Sequence, residues 1–113
     1  MCPAVMKYNL KHGESNPEIS RRQDMVRGIL WSEPEVAGAL KAAGLNVETS
    51  DLGDVLDAII RALGLPRTLT DLNVSSDKIP ALAKRALDDF WAPTNPVPLV
   101  EASQVQEILE AVL

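Results

Sequence analysis

Asp51-Leu52-Gly53-Asp54-Val55-Leu56-Asp57-Ala58-Ile59-Ile60-Arg61-Ala62-Leu63-Gly64 is the stretch that decides the fold class. Leu52, Val55, Leu56, Ile59, Ile60 and Leu63 recur at spacings of 3, 1, 3, 1 and 3, which on a helix of about 3.6 residues per turn is one continuous apolar stripe. Ser50 stands before the stripe and Gly64 after it, as start and stop signals of a helix. Asp51 and Asp54 lie at the positive end of the helix dipole, where a carboxylate contributes about 0.3 to 1 kcal/mol, so their expected role is structural rather than catalytic.

The same signals recur on both sides. Ser15-Asn16-Pro17-Glu18 and Ser32-Glu33-Pro34-Glu35 each offer Ser as N-cap, Pro in the first turn and Glu three residues on to close a capping box. They predict one helix from about Asn16 to Leu30, with Ile19, Val26, Ile29 and Leu30 inward, and another from Glu33 to Ala43, stopped by Gly44. Pro3 suits the first turn of a short helix ending near Asn9. After a turn through Thr70-Asp71-Leu72, a helix capped by Asp77 carries the stripe Ile79, Leu82, Ala83, Ala86, Leu87 and Phe90. A last helix from about Glu101 to Val112 offers Val105, Ile108, Leu109 and Val112. No alternating strand pattern competes. The expectation is an all-α domain, a compact bundle of about six helices spanning residues 1–113.

At 113 residues the chain can bury one core but cannot hold a second domain beside it. Its net charge is −5, and the 11 Lys and Arg residues are scattered, so no nucleic-acid partner is expected. A single cysteine, Cys2, excludes an internal disulfide and fits a reducing compartment. No stretch reaches the about 20 apolar residues of a membrane span and no signal peptide opens the chain, so no membrane partner and a cytoplasmic location are expected. There is no Gly-x-Ser-x-Gly, no phosphate-loop pattern and no pair of His residues.

Four further stretches carry a family resemblance: Pro3-Ala4-Val5-Met6-Lys7-Tyr8-Asn9, Leu63-Gly64-Leu65-Pro66-Arg67-Thr68-Leu69, Ile79-Pro80-Ala81-Leu82-Ala83 leading to Ala86-Leu87-Asp88-Asp89, and Thr94-Asn95-Pro96. Together they resemble the C-terminal helical domain of iron-containing alcohol dehydrogenases, and within that family the maleylacetate-reductase-like members. The resemblance implies that the nucleotide-binding turn and the Asp and His metal ligands precede the segment where Met1 falls. No cofactor and no metal are therefore expected on this chain alone, and His12 matches no ligand position of the family.

The resemblance also implies a site. In the family the loop matched by Thr94-Asn95-Pro96 faces the active-site cleft, which would put Trp91 at the cleft edge and Thr94 and Asn95 towards a ligand. The segment from Trp91 to Pro98 holds three prolines and is stiff, and Asn95-Pro96 is equally readable as a simple turn. The first helix would bring Met6 and Asn9 to the same cleft as binding residues, with Tyr8 and His12 as catalytic candidates oriented by Asp88 or Asp89. Two functions remain open. One is a helical domain reused to bind a small hydrophobic or carbonyl-bearing molecule, whose catalytic form is a cofactor-independent isomerase, dehydratase or cyclase. The other is a non-catalytic interaction domain that self-associates or complements a dehydrogenase, or a truncated gene product that began at an internal Met. Removal of the family's nucleotide domain would expose Val5, Met6, Tyr8 and Trp91, and the simplest cover for such a surface is a homodimer.

Overall fold

Six α-helices and no strand make up the computed structural model, which describes all 113 residues: α1 (Cys2–His12), α2 (Pro17–Ser32), α3 (Pro34–Ala42), α4 (Leu52–Ala62), α5 (Ile79–Ala86) and α6 (Ala102–Glu110). Single 3-10 turns occupy Thr70–Leu72, Ser76–Lys78 and Ala92–Thr94. The bundle measures 41 × 35 × 21 Å, about two helix diameters thick. None of its helices is long and apolar enough to cross a membrane.

The strongest start signal is the one beside the diagnostic stripe. Asp51 accepts a hydrogen bond from the Asp54 backbone N–H at 2.8 Å, and Asp54 accepts one from the Asp51 N–H at 3.1 Å, a reciprocal capping box. The two Ser-x-Pro-Glu starts work differently from expectation. Asn16, not Ser15, caps α2 by accepting from the Glu18 N–H at 3.1 Å. Only Glu33 separates α2 from α3, so Ser32 is the last residue of α2, and its hydroxyl donates back to the Ile29 carbonyl at 2.6 Å. Asp77 is drawn into the 3-10 turn, where it accepts from the Ser75 hydroxyl, and α5 starts after it without a side-chain cap. Both stops hold: Gly44 and Gly64 take φ of +83° and +67°, and the residue after each donates to the carbonyl five positions back.

The buried residues fall into three clusters: Ile79, Ala83, Val105 and Leu109 between α5 and α6; Ala4, Tyr8 and Ile108 between α1 and α6; Leu40, Val55 and Ala58 between α3 and α4. α2 lies at the edge, so of its four expected inward residues only Ile19 is buried, Leu30 is half-buried, and Val26 and Ile29 are exposed. α5 stops at Ala86, which leaves Phe90 off the stripe and exposed.

α1 and α4 cross closely. A Cβ at Gly53 would stand 2.7 Å from Lys7 Cγ and 2.9 Å from the Pro3 carbonyl, so only glycine permits the approach. Lys7 Nζ then reaches over the crossing to donate to Asp51 at 2.9 Å and Asp54 at 2.7 Å. Burial alone would lower the Lys7 pKa, but these two carboxylates outweigh it and raise it. The connection from α4 to α5 is tied down likewise: Arg67 donates a two-pronged bond to Asp57 at 2.9 and 2.7 Å, and Asp71 accepts from the Arg67 and Thr68 N–H groups, both at 3.0 Å.

Candidate ligand-binding cleft

A cleft of about 600 Å³ opens between α1, α2 and the loop after the Ala92–Thr94 turn. Met6 and Asn9 enter it from α1, Ile19 and Gln23 from α2, and Thr94 and Asn95 from the loop. Its volume falls within the about 300 to 1,000 Å³ of small-molecule sites.

The loop is clamped to α1 by a pair of amides. Asn95 Nδ2 donates to Asn9 Oδ1 at 2.6 Å, Asn9 Nδ2 donates to Asn95 Oδ1 at 3.2 Å, and Asn95 Nδ2 also bonds the Val97 carbonyl at 2.6 Å. Asn9 is only 2% exposed, so this pairing supplies partners that water cannot. Asn95 is thus both turn residue and cleft wall, with its side-chain amide largely committed to holding the turn. Gln23 is the opposite case. Its Nε2 donates to the Met6 carbonyl at 3.0 Å, while its buried Oε1 has no partner in the protein. A buried acceptor left unpaired costs about 1 to 3 kcal/mol, which makes Gln23 a costly polar residue in the wall, held in place by its bond to Met6.

The structure divides the other candidates. His12 stands at the far end of α1, where Nε2 lies 2.9 and 3.0 Å from the two Glu107 oxygens and Lys11 donates to the same carboxylate at 2.7 Å. The carboxylate that holds His12 is therefore Glu107 of α6, and Asp88 is an exposed residue beyond the end of α5. The hydrogen bonds from Lys11 and His12 lower the Glu107 pKa. Tyr8 is buried, its ring 4.4 Å from that of His12; burial and the Glu107 charge raise its hydroxyl above the ordinary phenol range, so it stays a protonated donor at neutral pH. Neither Tyr8 nor His12 lines the cleft. Nor does Trp91, which is exposed on the opposite side of the loop, edge-on to Phe90 at 5.2 Å and beside Met1 and Val5. Met6, Asn9, Thr94 and Asn95 are the candidates brought together.

Sequence reasoning missed Gln23, although a signal existed: Ile19, Gln23, Val26 and Leu30 follow spacings of 4, 3 and 4, which marks Gln23 as a polar residue on an apolar stripe. No three His, Cys, Asp or Glu side chains converge as a metal site, and the one histidine is occupied by Glu107. The cleft wall is made of apolar side chains and amides, with Glu18 and Arg22 as its charged groups.

The sequence model described as "Fe-containing alcohol dehydrogenase family, C-terminal" matches residues 1–113, and the chain belongs to that family. It is 37% identical over 109 residues to Dehydrogenase ALT3 of Alternaria alternata, covering 96% of this chain and 28% of that protein. It is 31% identical over 109 residues to Dehydrogenase FUM7 of Gibberella moniliformis, covering 96% of this chain and 25% of that one. Lactaldehyde reductase of Escherichia coli is 32% identical over 95 residues, covering 79% of this chain and 25% of that enzyme. The chain thus spans about a quarter of the length of these relatives. No solved structure matches it significantly.

Proposed function

We propose that the chain is a small-molecule-binding helical domain that takes an alcohol- or carbonyl-bearing compound in the cleft between α1, α2 and the Asn95 loop. The observation that carries this reading is a cleft of about 600 Å³ lined by apolar side chains and by the amide-bearing residues Asn9, Gln23 and Asn95, the combination of apolar surface and a few polar groups that small-molecule sites use. The similarity to dehydrogenases and to a lactaldehyde reductase sets the expected ligand class. Nothing in the cleft suggests turnover by an isomerase or cyclase: its titratable groups are Glu18 and Arg22, and Glu18 is already paired with Arg21. Titration with a panel of small alcohols, aldehydes and ketones should shift the side-chain amide resonances of Asn9, Gln23 and Asn95. Shifts centred on His12 and Glu107 instead would move the site to the other end of α1.

A second reading rests on a different surface. Phe90 and Trp91 are 79% and 68% exposed, and this patch continues into Met1 and Val5. Such a surface on a chain spanning a quarter of its relatives suits docking of a nucleotide-binding α/β domain, which would complete a dehydrogenase. Co-expression with the N-terminal part of Dehydrogenase ALT3 should then yield a complex that Trp91→Ser disrupts; separate elution of the two proteins argues against it.

A further inference from the structure

Arg22 is the one cation in the wall of the cleft, and its ion pair is a longer contact of 3.5 Å to Glu18. Glu18, the one anion there, is held by Arg21, whose Nε and Nη2 each donate to a carboxylate oxygen at 2.8 Å. Arg22 approaches the same carboxylate only at 3.5 Å, its side chain is 77% exposed, and its remaining guanidinium N–H groups have no protein acceptor. Glu18, Arg21 and Arg22 together leave one positive charge at the mouth of the cleft, on a chain whose net charge is −5. Below that mouth the wall is apolar, made by Met6, Ile19, Val26 and Leu52. A planar guanidinium with open donors matches a carboxylate in a two-pronged pair better than it matches any neutral group.

We infer that the cleft selects small amphipathic carboxylates, with the apolar body against Met6, Ile19 and Leu52 and the carboxylate at Arg22. This rests on the reading that the cleft is a ligand site and adds to it the charge of the ligand. Arg21 keeps Arg22 available by holding both Glu18 oxygens at 2.8 Å; without it Glu18 is free to close on Arg22.

Hexanoate and hexanamide, which differ in charge but hardly in shape, test this in the full chain by following the Asn9 and Gln23 side-chain amide resonances. Hexanoate should bind about fivefold more tightly than hexanamide, the advantage an exposed ion pair contributes. Arg22→Gln should abolish that preference by weakening hexanoate more than hexanamide, and raising salt from about 50 to about 500 mM should weaken hexanoate more than hexanamide. Glu18→Gln should strengthen hexanoate binding, and Arg21→Gln should weaken it, although Arg21 does not line the cleft. Equal affinity for the two probes, with the cleft resonances shifting, overturns the charge selection and leaves the cleft standing. If neither probe moves those resonances, the cleft itself is not a binding site, and the inference falls with it.

Discussion

A methyl group at position 53 has no room. Gly53→Ala would press its Cβ onto Lys7 Cγ and the Pro3 carbonyl, and because one of these is backbone the helices must separate. The expected loss is about 1 to 3 kcal/mol, read from chemical denaturation. Gly28, in the middle of α2, has nothing within 4 Å of its would-be Cβ, so Gly28→Ala should stabilise by about 0.5 to 1 kcal/mol. Opposite signs at two helical glycines test the packing rather than helix propensity. Asn9 and Asn95 make a second pair. Asn95→Ala leaves the buried Asn9 amide unpartnered and should cost about 1 to 3 kcal/mol, whereas Asn9→Ala leaves Asn95 its Val97 bond and should cost less, with the double variant losing less than the sum. Asn95 was legible through the Thr94-Asn95-Pro96 pattern, but its use as a clamp on Asn9 was not, because a bond across 86 positions leaves no local trace. The His12 partner was missed for the same reason: Glu107 lies 95 positions away.

Among the elements, six helices were readable because apolar period and stop glycines act within a few residues. The boundaries that moved did so through neighbours. Ser32 fits an N-cap by type, yet the single residue between α2 and α3 makes it the end of one helix rather than the start of the next. α2 was misread on its inner face because a stripe shows that a helix has an apolar side, not that anything covers it. Ile29→Gln should therefore change stability by no more than about 0.5 kcal/mol, whereas Ile19→Ala should cost about 2 kcal/mol or more by thermal or chemical denaturation. The α4–α5 connection predicts a pH dependence. The Arg67 hydrogen bonds hold the Asp57 carboxyl below its usual range, against the upward push of burial. Its contribution is thus complete above the unfolded carboxylate value of about 3.9 and is lost as pH falls through the lower folded value. Thermal melts between about pH 3 and pH 6 should show Asp57→Asn losing less stability on acidification than the parent chain.

At the scale of the molecule, three small clusters share the burial that one continuous core would otherwise hold, and large apolar side chains such as Phe90 and Trp91 remain outside. The exposed Phe90 and Trp91 are the surface that the second proposed reading assigns to a partner. Light scattering of the purified chain separates the possibilities: a homodimer through the Trp91 patch would scatter at twice 12.2 kDa, and Trp91→Ser would return it to one chain. The cleft, however, is built entirely from α1, α2, the α4 start and the Asn95 loop, so its binding should not depend on that association. The most direct test is the affinity for a small ligand in two variants that retain the helical circular dichroism signal. Met6→Trp fills the cleft and should abolish binding, while Trp91→Ala, on the other side of the loop, should leave it within about twofold of the parent. Loss of binding in Trp91→Ala with Met6→Trp unaffected would contradict the account and place the site beneath the Phe90–Trp91 surface instead.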